Sequence, residues 1–194
     1  MASIVRVVAT PGLATARAPR QTADMATDTV HPLVEQLRWM RSEFQRGLAG
    51  VTEADATRRF EPMNSIGWIA AHMAWQEQRQ WLTRARGVTP HPELDELAPN
   101  GGPATTPSLA QVQDLWAAVA RESNAWLDGL SAADLEGDLP GPGPQRTVGS
   151  ALLRVTYHGW FHLGEILAIR QILGGTGLPE FAGNIDGEAP YRRG

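Results

Sequence analysis

Four stretches of this chain carry apolar residues at intervals of three and four, the spacing of one helix face, and no stretch carries a convincing strand pattern. Leu33, Leu37, Met40, Phe44 and Leu48 set the first stripe and predict a helix over about 30–49. The second begins at Ser65 and runs through Ile66, Ile69, Met73 and Leu82 to about Arg86, with Gly87 placed to end it and Pro90 just beyond. Ser108 is placed to cap the third, about 108–130, whose stripe is Leu109, Val112, Leu115, Trp116, Val119, Trp126 and Leu130. The fourth, about 147–173, passes through Leu152, Val155, Phe161, Ile166 and Ile169 and stops at Gly174 and Gly175. Each stripe must be buried against the others, so the expected fold is all-α: one antiparallel four-helix bundle without a sheet. Between the second and third helices, residues 90–107 are rich in proline and include Gly101 and Gly102, which predicts a long crossover rather than a hairpin.

A weak internal echo divides the chain into two helix pairs. Gly50-Val-Thr-Glu-Ala-Asp follows the first helix much as Gly129-Leu-Ser-Ala-Ala-Asp follows the third. The second helix of each pair opens with a similar triplet, Ser65-Ile66-Gly67 and Thr147-Val148-Gly149. The ends of the chain read differently. Arg6, Arg17 and Arg20 precede the first acid, Asp24, so residues 1 to about 24 read as a leader that packs poorly, with Met25 as an alternative start. After Gly175, the turn residues Gly177, Pro179, Gly183, Gly187 and Pro190 predict an irregular strap over residues 176–194.

Composition narrows the chemistry. The 194 residues hold no cysteine, which removes disulfides, thiolate ligands and cysteine nucleophiles and leaves imidazole and carboxylate as the strong metal ligands. A net charge of −4 provides no basic excess for tracking phosphates, so nucleic acid is not an expected partner. No run approaches 18 apolar residues, so no membrane-spanning helix is expected.

The histidines carry the functional signal. His158 and His162 are four apart on the last helix, so one turn brings both imidazoles to one face and within reach of one ion. His72 sits in Trp68-Ile-Ala-Ala-His-Met-Ala-Trp75, where a lone ionisable group is costly to bury unless something satisfies it. Alone it would more often be a hydrogen-bonded core residue. Converging with the other two, it would complete a site of three neutral nitrogens with an open position, suited to zinc, nickel, copper or iron. His31 and His91 have no such company and read as surface or loop residues. Glu165 falls between the two histidines on the same face, as a fourth ligand, an acceptor for an imidazole N–H, or a general base, unless it is simply a solvated edge carboxylate. Gln76, Arg79 and Arg154 share the histidine faces by four- and seven-residue spacings and are candidates for orienting an anionic substrate; as rim residues they could equally be solvated or ion-paired. The seven tryptophans are expected to fill the core.

The helix-two segment Trp-Ile-Ala-Ala-His72-Met-Ala-Trp, followed by Arg154-Val-Thr-Tyr-His158-Gly-Trp-Phe-His162-Leu-Gly-Glu-Ile-Leu, resembles the DinB-like superfamily of bacterial metal-binding four-helix bundles over about residues 29 to 175. The resemblance implies an up-up-down-down bundle and a metal held by one histidine of the second helix and an H-x-x-x-H pair of the last, here His72, His158 and His162. Where many members carry Gln after the glycine, this chain has Glu165. The superfamily includes S-transferases and isomerases that use mycothiol or bacillithiol, metal-dependent hydrolases, and many members without an assigned reaction. It therefore implies a cytoplasmic, metal-dependent enzyme of thiol S-transferase or hydrolase type acting on a small molecule, with zinc, nickel or iron as the ion and a low-molecular-weight thiol as co-substrate, which would compensate for the absent cysteine. A non-catalytic, stress-associated bundle with a structural ion, in a homodimer, is the competing expectation.

Overall fold

A computed structural model describes residues 30–180 and 182–191. The expected leader lies outside the described residues. Those described are all-helical, and their one β-type pairing is an isolated bridge between Asp138 and Thr147. Four long helices dominate: α1 (Pro32–Leu48), α3 (Ile66–Glu77), α5 (Leu109–Asp128) and α7 (Val148–Ile172). Single-turn or slightly longer helices lie between and after them: α2 (Glu53–Thr57), α4 (Leu94–Leu97), α6 (Ala132–Glu136) and α8 (Ile185–Glu188).

Packing follows from the stripes. Helix α1 lies along α7, α3 lies against both α5 and α7, and Phe44 of α1 meets Trp116 of α5 edge-on at 4.8 Å. Leu37, Met40, Phe44, Ile69, Met73, Trp81, Trp116, Leu127 and Ile166 are almost wholly removed from water, each of the large ones contributing about 1.5–3 kcal/mol. One ionised pair sits in this interior. The Glu77 carboxylate, fully buried, accepts both Nε and Nη2 of Arg41 and, at 2.8 Å, the indole N–H of Trp116, so it ties α1, α3 and α5 together. Removing Arg41 would strand that charge at a cost of about 3–5 kcal/mol.

The echo in the sequence is an echo in structure. Thr52 caps α2 by accepting the Asp55 amide at 3.1 Å, and Ser131 caps α6 by accepting the Asp134 amide at 3.2 Å. Each short helix then lies against the start of the long helix that follows. A Cβ on Gly67 would come 2.4 Å from the Pro107 carbonyl oxygen and 3.3 Å from that of Ala56, and one on Gly149 would come 3.1 Å from that of Leu135. Glycine at both positions lets backbone meet backbone.

Two local expectations need correction. The helix over 65–86 is not α throughout: α3 passes directly into a π-helical stretch, Gln78–Arg84, with bonds from i to i+5, before ending at Gly87 in the left-handed region (φ 71°). Seven-residue α spacing therefore does not hold across it. Ser108 occupies the cap position of α5, but its hydroxyl caps no amide of that helix; the Glu53 carboxylate of α2 does so, accepting the Leu109 and Ala110 amides at 3.0 and 2.9 Å. Those two backbone bonds hold the Glu53 carboxyl below its usual range. His31 lies just outside the helix but is not idle there, since its Nδ1 accepts the Leu33 amide at 3.1 Å and caps α1.

The segment after Gly175 contains one helical turn, α8, and lies on α1: Gln36 donates to the Ala189 carbonyl at 2.9 Å and Arg46 to that of Glu180 at 2.7 Å. Among the described residues no helix is long and apolar enough to cross a membrane.

Candidate metal centre

Helix α7 is uninterrupted for 25 residues because Thr147 caps it, accepting the Ser150 amide at 3.1 Å, and because Leu152, Val155, Leu163, Ile166 and Ile169 bury one side of it. His158 and His162 face inward on that helix, His162 buried and His158 half-buried. Their Nε2 atoms are 2.9 Å apart. Tyr157 and Phe161, next to them in sequence, point out to solvent, so Phe161 does not belong to the buried stripe in which its spacing placed it.

His72 reaches the same place from α3. It is 3% exposed, its ring stacked between Trp68 (centroids 4.9 Å apart, 7° between planes) and Trp75 (5.4 Å, 27°). The carbonyl of Ala98, at the end of α4 in the crossover, accepts from His72 Nδ1 at 2.9 Å. That bond fixes the tautomer, putting the proton on Nδ1 and leaving Nε2 as the available lone pair. The rings of His158 and His162 present edges to it at 5.2 and 5.4 Å between centroids, and one nitrogen from each of the three lies within 4.8 Å of the others.

Glu165 lies half-buried one turn past His162, its Oε2 2.5 Å from His162 Nδ1. The carboxylate thus meets the outer nitrogen of the ring and not the inward one. That contact has the geometry of an acceptor for an imidazole N–H, and a proton on His162 Nδ1 leaves Nε2 facing inward. His158 Nδ1 is buried without a hydrogen-bond partner among the described residues.

Electrostatics keep the cluster neutral. His158 is lowered to about 4 by burial first, then by the charges of His162, His72 and Arg154; His162 is lowered to about 4 by burial and by His72. Burial also lowers His72, and it raises Glu165. All three imidazoles are therefore free bases at neutral pH, the form that coordinates a cation.

The donor set fits an ion. Bare, the inward nitrogens can form a single hydrogen bond, between His158 and His162, while His72 Nε2 has no hydrogen bond among the described residues. A cation would engage all three nitrogens, once the proton on His158 Nε2 that bridges to His162 has moved to Nδ1. Two nitrogens bonded to one ion at about 2.1 Å stand about 3.0–3.4 Å apart for angles of roughly 90–109°, so the 2.9 Å separation of His158 and His162 needs only a slight opening.

The profile of the DinB superfamily matches residues 36–166, two-thirds of the chain and all three histidines. The chain belongs to the DinB superfamily. A conserved protein from Enterococcus faecalis of known crystal structure shares the fold, with a TM-score of 0.55 and 18% identity over 77% of this chain and 100% of that one. No curated protein matches.

Within this DinB-superfamily fold none of the remaining predicted residues makes a hydrogen bond to the three imidazoles. Gln76 is half-buried on α3. Arg79 is exposed on the π-helical stretch, its guanidinium over the Trp75 ring at 5.2 Å. Arg154 is exposed on α7, one turn before His158, and near enough to depress it. Sequence reasoning missed the Ala98 carbonyl and the stacking of Trp68 and Trp75 on His72. Backbone carbonyls leave no compositional mark, but two tryptophans at −4 and +3 from a buried histidine are a helical-face signal that could have been read.

Proposed function

We propose that the chain is a metal-dependent enzyme of thiol S-transferase or hydrolase type, with His72, His158 and His162 holding one divalent ion, zinc, nickel or iron, through Nε2. The observation that carries this reading is the convergence of three neutral imidazole nitrogens within 4.8 Å, with the outer nitrogens of two rings engaged by Ala98 and Glu165. Three ligands leave a coordination position, and the bound ion would supply Lewis acidity, lowering the pKa of a water or a thiol there. The chain's own residues then orient. Ala98 and Glu165 hold two rings in register, while Trp68 and Trp75 close the site from bulk solvent. With no cysteine in the chain, any sulfur nucleophile must come as a small thiol.

The contacts α1/α7, α7/α3 and α3/α5, with Phe44 and Arg41 bridging α1 to α5, support an antiparallel up-up-down-down bundle whose crossover, residues 90–107, is part of the site's wall. The depth of His72 and His162 favours a second reading, in which the ion is chiefly structural.

Elemental analysis of the purified protein decides the first point: one ion per chain is expected, and none in the variant with all three histidines replaced by Ala. Stoichiometric metal in that variant would defeat the site. Glu165→Gln should weaken metal binding about 10-fold without unfolding the bundle. If stripping the ion lowers the melting temperature by tens of degrees while no thiol or ester substrate is turned over, the structural reading replaces the catalytic one.

A further inference from the structure

Four arginines lie close enough to act on one another: Arg79 and Arg84 on the π-helical stretch, Arg146 in the loop before α7 and Arg154 on α7. Among the described residues, none of the four has a carboxylate within ion-pair distance. They feel one another instead. The Arg146 guanidinium is held below its usual range by burial and then by the charges of Arg154, Arg84 and Arg79.

Arg84 is 4% exposed, and its donors go to the carbonyls of Pro140, Leu139 and Pro144, each at 3.2 Å, and to Gln80 at 3.4 Å. Carbonyls satisfy hydrogen bonds but do not cancel charge. A permanently charged guanidinium has thus been buried at the cost of its hydration, with its field left open to whatever lies beside it. What lies beside it is a cleft of ≈ 260 Å³, walled by Arg84, Arg79, Trp75, Gln78 and Gly143. The one acid on its wall, Asp95, accepts the Trp75 indole N–H at 2.7 Å. Trp75 is the partition: its indole faces His72 at 5.4 Å and carries Arg79 at 5.2 Å.

We propose that this cleft seats an oxyanion group, a carboxylate or a phosphate, of a small substrate, with Arg79 as the gripping fork and Arg84, Arg146 and Arg154 as the fixed positive field. The substrate role rests on the metal-centre reading above; the anion site does not. Arg79 is fitted for the grip because its guanidinium makes no hydrogen bond among the described residues and is already oriented by stacking on Trp75. At about 260 Å³ the cleft lies below the usual span for drug-sized ligands, which suits the acidic end of a small molecule and not a macromolecule.

Isothermal titration of the full chain with inorganic phosphate and with malonate tests this, on metal-loaded and on chelator-stripped protein. Binding of at least one anion is expected in both forms, weakening as salt rises. Arg79→Gln should lower that affinity about 10-fold and Arg154→Gln about 3-fold, whereas Arg58→Gln, the same charge change beside Phe60, should leave it within about twofold. A preference for malonate assigns a carboxylic acid, and one for phosphate a phosphate ester. No binding of either anion up to tens of millimolar, or equal losses in Arg79→Gln and Arg58→Gln, overturns the proposal. Metal uptake without anion binding overturns the cleft alone, and anion binding through Arg79 in a protein that takes up no metal keeps the cleft and defeats the metal centre.

Discussion

The pair α2–α3 and the pair α6–α7 begin alike and end differently. Each has a short helix capped by a hydroxyl, Thr52 or Ser131, then a long helix capped by another, Ser65 or Thr147, with a glycine two residues inside it. Beyond that point α7 continues as one regular helix and brings two histidines together by a single turn. Helix α3 supplies one histidine, which needs Trp68, Trp75 and the Ala98 carbonyl to hold it, and then widens into a π-helical stretch. The half with two ligands is locally self-sufficient; the half with one depends on the crossover. Local geometry can make a bidentate ligand set cheaply, but a third ligand on another helix must be placed by tertiary contacts.

The sharpest break of this comparison is at the ligands. Replacing His158 and His162 together with Ala should abolish metal binding, while His72→Ala should leave a weak two-histidine site, roughly 100-fold or more below the parent affinity; competition titration with a zinc indicator separates the two. Equal loss in both would show that the halves do not differ as described.

The glycines come next. Gly67→Ala drives a Cβ to 2.4 Å from the Pro107 carbonyl, a backbone atom that cannot swing aside, and should cost about 2–4 kcal/mol in urea unfolding. Gly149→Ala meets the Leu135 carbonyl at 3.1 Å, where a small shift suffices and the helical preference of Ala over Gly offsets part of the strain, so its effect should stay within about 1 kcal/mol.

Acid should sharpen the contrast further, with an effect of about 1–3 kcal/mol after allowance for the solvent around half-buried His158. His158 and His162 lie at about 4 in the folded protein against 6.5 for the free side chain. Between those values the unfolded chain binds more protons, so the metal-free protein is fully stable above about 6.5 and loses stability as pH falls toward 4. The lowered carboxyls of Glu53 and Asp134 act in the same direction but at lower pH. Melting temperatures of stripped protein should fall by several degrees between pH 7 and 4.5, and the His158→Ala/His162→Ala variant should flatten that slope. An unchanged slope would mean that the pair is not buried as neutral base.

How much was legible divides along the same line. Periodicity located the four long helices to within a few residues because each stripe must be buried whatever covers it, as Leu37, Phe44, Trp116 and Ile166 are. The spacing of His158 and His162 was likewise sufficient for their meeting at 2.9 Å. The π-helical stretch had no such signal: Gln78 to Arg84 reads as ordinary helix, and its bonds shift under tertiary constraint. Nothing local marks Arg84 either: residues 139–144, folding back over it, make it a buried charge.

By itself, then, the sequence determined the four long helices, their stops at Gly87 and Gly174, and the two-histidine half of the site, since each depends on residues no more than a few turns apart. Only the tertiary structure decided that His72 joins them, that Ala98 sets its tautomer, that Glu53 caps α5, and that Arg79 and Arg84 share one cleft wall within the field of Arg146 and Arg154. Those juxtapositions join residues far apart in the chain. What brings them together is the burial of four apolar stripes at once, which no local stretch of sequence encodes.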